Sequence, residues 1–299
     1  MNNRTFKILT VLGSPHDARS NTRAFVEDFV DEVSQAGLQL EHEVVSLGRK
    51  NIEPCKGCWN CTRGKRCPLE NDDLAAIKKS MIECDMLILA SPVYTNQVSA
   101  QMKAFCDRLF TWCHIFPLLG KYGLSAVTTG NDGHKEAGKF LEKMLATYGT
   151  HSFGSIYSLG GFTSGFFPWR EQSRNKYRKS AQKVAQTVLQ GKMPPSRSIQ
   201  RKIFRTMKNK MSGIHTVNSM VYGVPENQPH PRKLRVKVMQ FFFSRMNLNK
   251  AQIEKWAGLL SFELSWWRER GWLKANSFGQ LANMSVTDEF NIKERLLGS

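Results

Sequence analysis

Four cysteines stand within thirteen residues, Cys55, Cys58, Cys61 and Cys67, in the spacing C-x2-C-x2-C-x5-C. Thiolates gathered so closely could ligate an iron–sulfur cluster, in which each iron corner takes one sulfur. Zinc also accepts four thiolates, although structural zinc sites usually draw them from two separated pairs. A disulfide set and a loop without metal are the other readings. Lys56, Arg63, Lys65 and Arg66 lie among these cysteines and would offset thiolate charge. The other three cysteines, Cys84, Cys106 and Cys113, fall on predicted helices and are expected in the core.

Three further stretches carry polar side chains at places where strands should end. "GSPHDARSNTRA" (13–24) brings Ser14, Ser20, Asn21 and Thr22 to a helix start, where backbone N–H groups converge on an anion. Ser20 would equally serve as an ordinary helix cap. "SPVYTNQVSAQMKAFCDR" (91–108) follows a strand with Pro92, Val93, Tyr94, Thr95, Asn96 and Gln97. An aromatic face beside several amides suits a flat heterocycle with polar edges. "TTGNDGHKEAG" (128–138) supplies a glycine-rich third loop with Thr129, Gly130 and Asp132. No G-x-G-x-x-G and no Gly-Lys-Ser/Thr occurs in the first loop, which speaks against a dinucleotide fingerprint and a triphosphate loop. His16, His114, His134 and His151 lack partners at diagnostic spacing and read as structural or surface residues, His16 alone approaching the anion.

The elements that must position these loops alternate. "FKILTVLG" (6–13), "EHEVVSL" (41–47), "DMLILASPVY" (85–94), "GLSAVTTG" (123–130) and "HSFGSIYSLGG" (151–161) are compact apolar runs and predict strands. Helical spacing predicts helices over 20–37, 71–84, 99–113, 135–149 and 174–191. Five successive strand–helix units imply a parallel sheet covered on both faces, with ligands beyond the carboxyl ends of its strands.

After "GKMPPSRS" (191–198) the composition changes. A basic amphipathic helix is expected at 198–211, a Pro/Asn-rich linker at 218–233, an apolar, basic stretch at 234–248 and a Trp-rich helix at 249–273. The domain boundaries read 1–192 and 197–299. The net charge is +18, of which residues 197–299 contribute +11. Such a field attracts anions of many kinds. Trp256, Trp266, Trp267 and Trp272 among these bases could meet a membrane surface, but the favoured expectation is packing of the extension on the core or across a dimer. No nucleic-acid module is recognisable, so no nucleic acid is expected as a partner. The first residues read as strand and turn rather than leader, and no apolar run is long enough to span a bilayer, which points to the cytoplasm and to reduced thiols.

The three loops in this order, joined by the cysteine loop and the "NDD" that follows it, resemble the NAD(P)H-dependent FMN reductases of the flavodoxin-like superfamily, and within them the iron–sulfur flavoproteins. The resemblance covers Phe6 to about Gly191. It implies an α/β fold, a flavodoxin-like doubly wound five-stranded parallel sheet with a C-terminal helical extension. It assigns the FMN phosphate to Ser14, Ser20, Asn21 and Thr22, with His16 nearby. It assigns the ribityl chain and ring to Pro92, Val93, Tyr94, Thr95 and Asn96, and the ring border to Thr129, Gly130 and Asp132. A 4Fe–4S cluster on Cys55, Cys58, Cys61 and Cys67, NAD(P)H as electron donor, and a homodimer or homotetramer are implied likewise. Two departures stand out. His16 follows Pro15 where the family commonly has arginine, with Arg19 further on; and Thr95, Asn96 and Gln97 stand where a glycine is common.

The expected activity is therefore FMN-dependent transfer of electrons from NAD(P)H to a quinone, a nitro or azo compound, or a redox protein. FMN would do the chemistry, so no catalytic side chain is assigned. The rival reading is a non-enzymatic flavodoxin-type electron carrier or redox sensor. Such carriers tend to be short and acidic, unlike this chain.

Overall fold

The structure is a computed structural model that describes residues 5–63, 65–159, 169–222, 261–270 and 272–274. Two compact units are formed, one by residues 1–56 and 69–197, the other by 57–68 and 198–299.

The first unit is built on β1 (Phe6–Leu12), β2 (Leu40–Ser46), β3 (Met86–Tyr94), β5 (Tyr122–Thr129) and β6 (His151–Leu159), which lie parallel in the order β2-β1-β3-β5-β6. A short strand β4 (Gln97–Val98) folds back antiparallel on the end of β3. The strand order reverses between β1 and β3, the switch point at which open α/β sheets bind ligands.

Helices α1 (Asn21–Gln35) and α6 (Trp169–Leu189) cover one face. Phe25, Phe29 and Val33 of α1, with Tyr177, Ala181 and Val184 of α6, bury Ile8, Ile88, Leu124 and Ile156 of the strands. Helices α2 (Leu74–Glu83), α3 (Ala100–Arg108), α4 (Trp112–Ile115) and α5 (His134–Tyr148) complete the unit. Leu87, Ile88, Leu89 and Ala90 of β3 are all fully buried, as in a strand whose two faces are both covered. Glu32 on α1 is buried and accepts from Arg178 Nε (2.9 Å) and Nη2 (3.0 Å) on α6, tying the two helices together.

Two expectations are corrected. The helix over 99–113 breaks: from Leu109 onward the amide bonds tighten to i→i−3, Leu109 to Cys106, Trp112 to Leu109, Cys113 to Phe110 and His114 to Thr111. The expected linker from 218 is helical up to Tyr222, because α7 (Ser198–Tyr222) runs on past 211. The remainder of that linker and the stretch 234–248 lie outside the described residues. Of the Trp-rich helix over 249–273, residues Ser261–Glu269 are described as α8.

Within the second unit α7 and α8 pack together, and α8 packs on the 3-10 turn Cys61–Arg63. Phe204 stacks on Trp267 with ring centroids 6.4 Å apart, and Trp272 meets Trp267 edge-on at 5.6 Å. The Arg270 guanidinium lies 3.4 Å from the centroid of Trp266. Trp266, Trp267 and Trp272 are all buried, so these three are core residues and not a membrane belt. Trp256 lies outside the described residues. Among the described residues no helix is long and apolar enough to cross a membrane.

Candidate functional site

At the carboxyl edge of the sheet, the loops after β1, β3 and β5 enclose one cleft of about 520 Å³. Ser14, His16, Ser20, Asn21 and Thr22 line it from the first loop. Pro92, Val93, Tyr94, Thr95 and Asn96 line it from the second, and Thr129, Gly130 and Asp132 from the third. The volume is that of an ordinary small-molecule site.

The first loop leaves β1 at Leu12 and enters α1 through the cap Ser20, whose Oγ accepts the Arg23 N–H at 3.3 Å. Ser14 Oγ accepts the His16 N–H at 3.3 Å. Ser14, Ser20 and Thr22 are buried, while His16, Arg19 and Asn21 are exposed at the mouth. Arg23 is engaged by Asp17 (3.0 Å) and Glu27 (2.8 Å), and Arg49 by Asp17 (3.3 Å). Arg19 lines the cleft and has no carboxylate partner among the described residues. Arg19 thus lines this end of the cleft beside the neutral donors and the positive end of α1.

The second loop is a hairpin. Val93 pairs with Val98 and Tyr94 with Gln97, leaving Thr95 and Asn96 as its two-residue turn. Both have positive φ, 48° and 60°, the backbone that such a turn demands. Threonine is β-branched and strained there; the departure from glycine noted in the sequence is therefore a departure into strain at the cleft wall. Tyr94 is 44% exposed, its ring available to a ligand. Buried Ser99 fixes the hairpin's return. Its Oγ donates to the Gly13 carbonyl (2.6 Å) and caps α3 by accepting the Met102 N–H (3.2 Å), and its own N–H donates to Ser91 Oγ (3.1 Å).

The third loop is closed on itself. Thr129 Oγ1 donates to the Asp132 carbonyl (2.6 Å), and Asp132 Oδ1 accepts the Gly133 N–H (2.7 Å). Thr128 Oγ1 lies 2.6 Å from Thr22 Oγ1, linking the third loop's strand to the first helix.

Sequence reading missed several supports. Gly48 lies against the first loop: a Cβ there would stand 2.8 Å from Pro15 Cα and 2.9 Å from the Ser14 carbonyl. Gly133 lies against the hairpin: its Cβ would stand 2.6 Å from Asn96 Cα. Phe25 and Tyr177, edge to face at 5.3 Å, also line the cleft, and so does Asp28. Phe25 stands on the helix predicted over 20–37, and nothing local marked the glycines.

His114, His134 and His151 do not line the cleft. His114 packs edge-on against Phe110 at 4.9 Å, and His134 against Tyr157 at 5.2 Å. His151 is buried, and that burial holds its pKa below the usual imidazole value.

All seven cysteines stand as thiols. Cys55 and Cys58 are exposed, and Cys61 and Cys67 half-buried. Among the described residues no three His, Cys, Asp or Glu side chains converge as a metal-binding group. The donor chemistry suits a cluster, but the arrangement does not form its ligand shell. Cys84 and Cys106 are core thiols, and burial pushes both up to about 12. Cys113 is half-buried, and desolvation raises its thiol too.

Fold and cleft together define a flavodoxin-like α/β protein with one site at the sheet's carboxyl edge. Comparison with known sequences goes further: the NADPH-dependent FMN reductase family matches residues 6–164, more than half of the chain, and the chain belongs to that family. An iron–sulfur flavoprotein of Archaeoglobus fulgidus is 33% identical over 155 residues, 52% of this chain and 69% of that one. One from Methanocaldococcus jannaschii is 38% identical over 124 residues, 42% of this chain and 62% of that one. Among solved structures, an NAD(P)H:quinone oxidoreductase from Methanothermobacter marburgensis superposes with a TM-score of 0.47 at 17% identity, covering 60% of this chain and 96% of that chain.

Proposed function

We propose that the chain is an FMN-dependent NAD(P)H oxidoreductase. The observation that supports this most is the convergence of three loops on one cleft, lined at one end by the hydroxyls and amide at the start of α1 and along one wall by the Tyr94 hairpin. Ser14, Ser20, Asn21 and Thr22, with Arg19 and His16, hold the phosphate at the start of α1. Pro92 to Asn96 would hold the flavin ring, Tyr94 offering an aromatic face and Asn96 an amide. Thr129, Gly130 and Asp132 border it. FMN in this cleft supplies hydride acceptance from a nicotinamide and onward delivery of electrons. The protein's part is position: a self-bonded third loop, a hairpin held through Ser99 and a capped helix fix the donors before the ligand arrives.

The acceptor in this reading is a quinone, a nitro or azo compound, or a redox protein. The cysteine loop is read as ligand-bearing, with Cys55, Cys58, Cys61 and Cys67 as donors to a 4Fe–4S cluster. That loop would have to rearrange to close a ligand shell.

The test is titration of the purified chain with FMN, followed by quenching of flavin fluorescence, and then NADPH and NADH oxidation with a quinone acceptor. Saturable FMN binding that weakens in Arg19→Ala, with steady nicotinamide oxidation, supports the reading. A chain that binds no FMN refutes it. Iron and acid-labile sulfide measured after oxygen-free purification decide the cluster separately.

A further inference from the structure

Three hydroxyls line the cleft from the first loop and the start of α1, those of Ser14, Ser20 and Thr22, and all three residues are buried. Two of them already accept a bond from the backbone: Ser14 Oγ from the His16 N–H and Ser20 Oγ from the Arg23 N–H, each at 3.3 Å. An oxygen that accepts in this way keeps its own proton to give elsewhere. Thr22 is held differently. Its Oγ1 lies 2.6 Å from the Oγ1 of Thr128, which stands 106 residues away near the end of β5.

A hydroxyl carries one proton and can both donate and accept. Two hydroxyls bonded to each other therefore share one proton and have one left over. Among the described residues neither Thr22 nor Thr128 has a further side-chain partner, and both line the cleft. The direction of the bond decides which oxygen offers the spare proton. Thr22 is the second residue of α1, at the positive end of that helix, where an anion would gather. If Thr128 donates, Thr22 offers its proton there, as Ser14 and Ser20 can. If Thr22 donates instead, its lone pairs are what an anion meets, and at 1% exposure no water can stand between them.

We propose that Thr128 is a positioning residue of the anion seat: its hydroxyl donates to Thr22 Oγ1 and so turns the Thr22 proton toward the ligand. The proposal rests on reading the start of α1 as the place of the FMN phosphate. With Thr22 set in this way, all three buried hydroxyls offer protons at once. An ionised phosphate monoester presents three strong acceptor oxygens to them, whereas the terminal alcohol of riboflavin brings a proton of its own. Thr128 thereby sharpens the choice of phosphorylated over unphosphorylated flavin without touching either.

The experiment titrates wild type, Thr128→Val, Thr128→Ser, Thr22→Val and the double variant Thr22→Val/Thr128→Val with FMN and with riboflavin, following flavin fluorescence. Thr128→Val keeps the side chain's shape and removes the hydroxyl. It should lower the ratio of FMN to riboflavin affinity about 3- to 10-fold, the usual worth of one hydrogen bond, and Thr128→Ser should restore it. Thr22→Val should lower the ratio about 10- to 100-fold, as for a bond to a charged group. The double variant should then be no worse than Thr22→Val, because Thr128 acts only through Thr22. An unchanged ratio in Thr128→Val, or losses that add in the double variant, overturns the proposal; additive losses would mean that Thr128 meets the ligand itself. Thr128→Ala carries the same comparison should the valine variant not fold. Inorganic phosphate serves as a probe that needs no flavin: it should raise the Tm of wild type more than that of Thr128→Val. An equal rise in both is that of an excluded salt and overturns the proposal. If wild type binds neither flavin, the flavin reading fails, and the phosphate comparison alone decides the role of Thr128.

Discussion

Replacing Gly133 by alanine tests the cleft wall most directly. Gly133 has φ +79°, and a Cβ on it would stand 2.6 Å from Asn96 Cα and 2.9 Å from Val93 Cγ1. The left-handed backbone costs an alanine about 1–2 kcal/mol. The overlap adds about 1–3 kcal/mol if the hairpin yields. Gly37 is the matched control: its φ is +97°, and nothing lies within 4 Å of its Cβ position. Gly37→Ala should therefore lose about 1–2 kcal/mol, and Gly133→Ala about 2–5 kcal/mol. The difference isolates the push on Asn96. If the hairpin must return to its present place to hold FMN, that strain weakens binding by about 10- to 100-fold, at 1.4 kcal/mol per decade. Urea unfolding gives the stabilities, and flavin fluorescence quenching gives the affinities. Equal stability losses in the two variants, or undiminished FMN affinity in Gly133→Ala, would refute the reasoning.

Three other outcomes follow from the same structure. Thr95→Gly should stabilise the chain by about 1 kcal/mol, because it relieves a β-branched residue at φ 48°; urea unfolding measures it. Near pH 8, iodoacetamide should label Cys55 and Cys58 rapidly and leave Cys84 and Cys106 unlabelled until urea unfolds the chain, as read by mass spectrometry of peptides; their burial and pKa near 12 keep them protonated. The Arg178 guanidinium beside Glu32 outweighs the opposing effect of burial and holds that carboxyl below its usual range. A depressed carboxylate stabilises the fold above its unfolded pKa of about 4.3 and loses that contribution as pH falls through its folded value. Arg178→Gln should thus lower Tm at neutral pH, and the gap to wild type should close on acidification.

What could be read in the sequence was local. "MLILAS" announced a strand covered on both faces because each of its side chains must be apolar, and Met86 to Ala90 are indeed fully buried. The first loop was legible because Ser20, Asn21 and Thr22 mark a helix start by chemistry alone. The hairpin was not. Its turn is Thr95–Asn96, whereas Asn-Gly or Asp-Gly is the signal a reader looks for. The roles of Gly48 and Gly133 depend on which distant backbone comes near, and a single sequence does not record that. The break after Arg108 escaped for the same reason, since the amphipathic period continues unbroken through it while the hydrogen bonds tighten.

Helix α3 is fastened at both ends. Ser99 bonds its start to Gly13 at the end of β1, and Arg108 bonds its end to the Glu53 and Leu69 carbonyls, the stems of the cysteine loop. Its nine residues rise about 13 Å, so the helix acts as a ruler between these two fastenings. The loops themselves can lengthen or change residues without moving either fastening. The ruler cannot: one residue inserted within it would swing Arg108 about 100° around the axis, away from both stems. The length of this one helix is thereby more tightly constrained than the residues on its outer face.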